Sequence, residues 1–202
     1  MALPPIYAAH RLFGPVTSHT LEVFLDYTCP FSAKLWRTLE TQVLPVLAKS
    51  NISVVFRHQV QPWHPTSTLL HEASLAVEKL NPEGFVPFTS ALFTNQSDYF
   101  DESTVNLTRT DIYYKLADLA TSINAVDDRM AMLQLLDIQA SDSPSNKGNA
   151  VTNDLKYHIR VARAQGIHVS PAVVFDGIRD DSVSSSWDLN QWSAWIDQKK
   201  KL

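Results

Sequence analysis

The chain carries one cysteine, Cys29, in 202 residues. That count excludes an intrachain disulfide framework and fits a reducing compartment. There is no basic excess either. Seventeen Lys and Arg face 21 Asp and Glu, giving a formal charge of −4 and a pI near 5.9, so the chain has no surplus with which to neutralise nucleic-acid phosphates. No apolar run approaches the ~20 residues that span a bilayer, and no membrane partner is expected. The opening MALPPIYAAH lacks a charged leader region and holds two prolines, unlike a secretion signal, and the expected location is the cytoplasm. The closing Lys-Lys-Leu is similar to the peroxisomal Ser-Lys-Leu address but departs at its first residue, so a solvated helix end is the simpler reading. Sequons at Asn51, Asn95 and Asn106 matter only in a secreted chain. No histidine stands at metal-type spacing from a carboxylate or cysteine, and no metal is expected.

What is present is a patterned chain, 45% hydrophobic, with enough length for one substantial core. TLEVFLDY, 20–27, places Leu21, Val23, Leu25 and Tyr27 on one face and Phe24 on the other, which predicts a strand covered on both sides. From Pro30 the period changes. Leu35, Leu39, Val43 and Val46 recur at helical spacing and predict an amphipathic helix over 31–49. NISVVFRHQ, 51–59, predicts a second strand and closes a βαβ unit. A proline-punctuated loop, 61–67, then leads into a mainly helical stretch reaching about residue 165. It includes helices at 108–123 and 126–139, a loop over 141–149, and a helix that starts at Val151 and stops at Gly166. AVVF at 172–175 with the following Asp-Gly predicts a hairpin. Ser184 to Ser186 are expected to cap a last helix bearing Leu189, Trp192, Trp195 and Ile196. This order predicts one α/β domain, 1–65 with 166–202, interrupted by a helical insertion at 66–165.

Cys29 falls where the first strand gives way to the helix. Free backbone N–H groups and the positive helix end favour an anion there, which suits an attacking thiolate. Pro30 costs no hydrogen bond in the first turn, and the Ser32 hydroxyl is expected to reach back to the sulfur. The plain alternative is a small buried hydrophobe. Pro171 either simply opens a strand or follows a cis Ser170–Pro171 bond facing Cys29, with the Ser170 backbone open to a docked ligand. Asp26, His64 and His168 are candidates for proton handling near the thiol, with core packing or solvation as the alternative for each. Phe31 and Trp63 are candidate walls of an apolar groove.

Cys-x-x-Ser at a strand-to-helix junction, a helical insertion, then Ser-Pro before a hairpin and final helix together resemble the DsbA-like thioredoxin-fold family, over about residues 20 to 197. The resemblance implies a thioredoxin-like α/β fold with an inserted helical domain, and a thiol site facing a cis-proline loop. It implies Cys29 as nucleophile, with Ser32 at the place of the resolving cysteine and Pro171 as the cis-proline. Pro30, Phe31, Trp63, Ser170 and Pro171 would then contact substrate or glutathione, with Asp26 and His168 as a proton relay. Kappa-class glutathione transferases and 2-hydroxychromene-2-carboxylate isomerases are similar in architecture and place a serine near the same helix start. Because the chain lacks a second cysteine, it cannot complete a dithiol cycle alone. Three readings remain: monothiol exchange with glutathione or another thiol as co-substrate, a glutathione-dependent transferase or isomerase, and a binding protein without redox chemistry. No tightly bound cofactor is expected.

Overall fold

The computed structural model describes residues 3–15, 19–47, 50–138 and 142–201. A 3₁₀ turn at Pro5–His10 leads into β1 (Arg11–Phe13) and β2 (His19–Leu25). The first helix, α1 (Pro30–Thr38), continues through a π turn (Leu39–Val43) into α2 (Leu44–Leu47), and β3 (Ile52–His58) follows. Six helices come next: α3 (Ser67–Leu80), α4 (Phe85–Thr94), α5 (Asp101–Thr104), α6 (Arg109–Ser122), α7 (Arg129–Leu136) and α8 (Thr152–Ala164). The chain finishes with β4 (Ala172–Phe175), β5 (Ile178–Arg179) and α9 (Leu189–Lys199). Among the described residues no helix is long and apolar enough to cross a membrane.

The sheet order is β1-β3-β2-β4-β5, with β2 and β3 parallel and the other pairs antiparallel. β2 is therefore central, and residues 21 to 25 are buried on both sides. Alternation sends Leu21, Val23 and Leu25 to one face, where they join Leu35, Trp36 and Leu39 of the first helical segment and Trp192 of α9. The same apolar cluster runs unbroken into the insertion through Ala73, Phe85 and Leu116. Phe24 and Val174 point the other way and meet Val161 and Ala162 of α8. Glu22 follows the Phe24 parity and forms a buried ion pair with Arg57 at 2.5 Å.

Several local expectations need amending. The helix over 31–49 is not uniformly α. Pro45 has no N–H to donate and would crowd the preceding turn, and just before it the Leu44 amide reaches the Leu39 carbonyl, five residues back. The last helix is capped by Asp188, which accepts from the Gln191 amide in a reciprocal capping box. The serines at 184 and 186 bond to each other instead. The helix predicted over 126–139 begins later, because Asp128 accepts from the Met130 and Ala131 amides and sets its start. β1 and the turn before it carry no periodicity of their own. Residues 48–49, 139 and 141, and Leu202 of the terminal Lys-Lys-Leu, lie outside the described residues. The Asp-Gly hairpin forms as expected, with Asp176 and Gly177 both at positive φ, and its Asp176 carboxylate accepts from the Thr20 amide on β2.

Candidate active site

Cys29 is the N-cap residue of α1, with extended backbone angles, and its carbonyl accepts from the Ala33 amide to start the helix. Its own amide donates to Asp26, closing the strand-to-helix turn. The sulfur is nearly buried, at 5% exposure for the residue, and donates to the Ser170 carbonyl at 3.4 Å. The Ser170–Pro171 peptide bond is cis. The fold thus brings two segments that are distant in sequence to one place.

Ser32 does not take the position expected of it. It is fully buried, and its hydroxyl accepts from the Asp26 amide at 3.2 Å. Among the described residues no hydrogen bond joins it to Cys29. The physical reason is the direction of helical side chains, which lean toward the N-terminus and here meet the strand end behind the thiol.

Asp26 sits beneath the turn with no exposed surface. Its Oδ1 accepts from the Thr28 amide and hydroxyl, each at 3.1 Å, and from the Ser67 hydroxyl at 2.8 Å. Its Oδ2 lies 2.7 Å from His64 Nδ1, and His71 Nε2 is 3.5 Å from Oδ1. Burial works to raise the carboxyl's pKa. The hydrogen bond and charge of His71, then the hydrogen bonds from His64 and the Thr28 amide, outweigh burial and hold it at about 2.

A groove of about 390 Å³ opens beside the thiol turn. Thr28, Pro30 and His64 line one side, and Tyr99 and Phe100 the other. The Gln96 side-chain amide donates to the Tyr27 and Cys29 carbonyls and ties the insertion to the turn. Phe31, Trp63 and Val169 are exposed apolar side chains. His168, expected near the thiol, instead lines a separate groove of about 310 Å³ with Trp63 and Pro62. Among the described residues it makes no hydrogen bond to Asp26 or Cys29. The carboxylate's histidine partners are His64 and His71, of which His71 carried no sequence signal. It is one polar residue within the apolar stripe of α3.

The fold is thioredoxin-like α/β, similar to that of DsbA-like proteins, with a single thiol at the helix start. No family model and no curated protein sequence matches the chain. Solved structures do. A candidate protein-disulfide isomerase from Pseudomonas syringae is 25% identical, with a TM-score of 0.72 over 95% of this chain and 99% of that one. The catalytic domain of Proteus mirabilis ScsC gives 0.66 at 18% identity, over 96% and 91% of the two chains. MdbA of Corynebacterium diphtheriae, a thiol-disulfide oxidoreductase, gives 0.63 at 17% identity, over 95% and 90%.

Proposed function

We propose that the protein carries out thiol-disulfide exchange with one active-site thiol, Cys29, and an external thiol such as glutathione. The observation that carries this reading is the Cys29 sulfur at the α1 N-terminus, 3.4 Å from the Ser170 carbonyl beside a cis peptide bond. The likeness to thiol-disulfide oxidoreductases over nearly the whole chain supports it.

In this reading a disulfide-bearing substrate rests against the Ser170–Pro171 loop, with Pro30 and Phe31 as apolar contacts. The Cys29 thiol loses its proton, and the thiolate attacks one sulfur of the substrate. The substrate's S–S bond breaks, the other sulfur leaves as a thiolate, and Cys29 holds a mixed disulfide. A glutathione thiolate then attacks that disulfide, and its own new S–S bond releases the Cys29 thiolate. His64, anchored at Nδ1 by Asp26, keeps its other nitrogen for a proton at the groove. Asp26 acts through His64 and is a positioning residue. A reducing compartment supplies the resolving thiol.

Oxidised glutathione is expected to add one glutathione per native chain, seen in intact mass, removed by reductant and absent from Cys29→Ser. If native protein stays unmodified while the same protein in denaturant is modified, the site is closed to thiol ligands and the proposal fails.

A further inference from the structure

Away from the thiol turn, the N-terminal 3₁₀ turn, the end of β3, α3 and α8 converge on four polar side chains within the core. His10, His58 and His158 have at most 1% exposure and Glu78 has 5%. Each histidine brings one ring nitrogen within 4.8 Å of the others'. The ring centroids of the three pairs are 4.8–4.9 Å apart. Glu78 Oε2 lies 2.9 Å from His10 Nε2. Within this cluster His10 Nδ1, His58 Nε2, both nitrogens of His158 and Glu78 Oε1 are buried without a hydrogen-bond partner. An apolar core does not hold so many unsatisfied polar atoms cheaply, at about 1–3 kcal/mol each.

We propose that His10, His58 and His158 form a buried site for one borderline divalent transition-metal ion, of which zinc is the natural probe, with Glu78 holding His10 from behind through its Nε2. Three imidazoles are a donor set such ions take, with a water in the fourth position. A point equidistant from three atoms 4.8 Å apart lies about 2.8 Å from each, so shifts of under about 1 Å bring the nitrogens to the 2.0–2.1 Å of a zinc bond.

The outer shell is also in place. A metal on His58 Nε2 leaves the proton on Nδ1, which lies 2.6 Å from His71 Nδ1. His71 Nε2 in turn faces Asp26 at 3.5 Å. With all ligands buried, the ion enters as the chain folds. Its ligands share no residue with the site at Cys29.

The test uses tag-free full-length protein, unfolded in denaturant with chelator and refolded with cobalt(II) or zinc(II). Free metal is removed before elemental analysis, and a second sample comes directly from zinc-supplemented cells. About one equivalent is expected. The cobalt form should show tetrahedral absorption without a thiolate charge-transfer band, unchanged in Cys29→Ser. His158→Phe keeps a ring of similar size and is expected to retain at least tenfold less metal. Glu78→Gln, nearly isosteric, should lose metal to chelator at least tenfold faster. The proposal is overturned if refolded and cell-derived wild-type protein both hold less than a tenth of an equivalent. It is also overturned if folded His158→Phe and Glu78→Gln retain metal as wild type does, which would leave a water-satisfied histidine cluster.

Discussion

Replacing Ser32 with cysteine should give an intramolecular disulfide with Cys29 and a dithiol oxidase activity that the parent chain, with one cysteine, has no means to show. Residue 29 is the N-cap and residue 32 the third residue of α1. The turn between them is closed by the bond from the Ala33 amide to the Cys29 carbonyl. Residues so placed have Cα atoms within the ~4.4–6.8 Å that a disulfide spans. The incoming sulfur would occupy a buried position behind Cys29, so substrate would still meet Cys29 first and the second sulfur would resolve the adduct. The helix start favours the reduced thiolate over the disulfide, which makes the pair oxidising. The substitution gives up the bond from the Asp26 amide to the Ser32 hydroxyl, at about 1 kcal/mol. Free-thiol counting after mild oxidation, with reduced and unfolded substrate as the activity readout, decides it. A folded variant that keeps both thiols free would show that residues 29 and 32 do not share a thioredoxin-type turn.

Asp26→Asn is expected to lower stability by about 3 kcal/mol at pH 7, the scale for leaving buried ionic partners uncompensated. An amide presents hydrogens to at least one donor among Thr28, Ser67, His64 and His71 where the carboxylate accepts from all. The loss should depend on pH in a definite direction. The folded carboxyl sits at about 2 against a reference of 3.8, so the folded state binds this proton less readily than the unfolded chain. Its contribution is complete above the unfolded value and fades as pH falls through the folded one. Linkage puts the fading at about 1 kcal/mol by pH 3 and about 2 by pH 2. The gap between wild type and variant in urea titrations should narrow by those amounts. A gap that stays constant from pH 7 to pH 3 would mean that Asp26 is not ionised in the native protein.

Elements with strong periodicity were legible from the residues alone. The alternation through Leu21, Val23 and Leu25 marked β2, and AVVF before Asp-Gly marked the β4 hairpin, because burial on both faces and a positive-φ turn each leave a local signature. The placement of Cys29 at the strand-to-helix junction followed from the same local reading. What escaped was set by contacts distant in sequence. His71 looks like one polar residue in the α3 stripe, and only the fold sets it beside Asp26. His10, His58 and His158 stand on three unconnected elements, so no spacing rule brings them together, and the sequence expectation of no metal had no access to their meeting. Ser32 was placed on the correct turn and given the wrong neighbour, because spacing says which turn a side chain occupies and not whether it leans outward or back.

The π turn ahead of Pro45 carries a consequence for rotational phase. Leu35, Leu39, Val43 and Leu47 are all buried, and they recur every four residues rather than every 3.6. In an unbroken α-helix a stripe of that spacing winds round the axis by about 40° at each step, so three steps would carry it about 120° from where it began. The wider winding over Leu39–Val43 takes up part of that angle, as a single extra residue accommodated within the helix. A helix that begins at the thiol therefore keeps its apolar seam facing the core as far as Leu47, and the anchoring of Cys29 at its tip is held along the length of that seam.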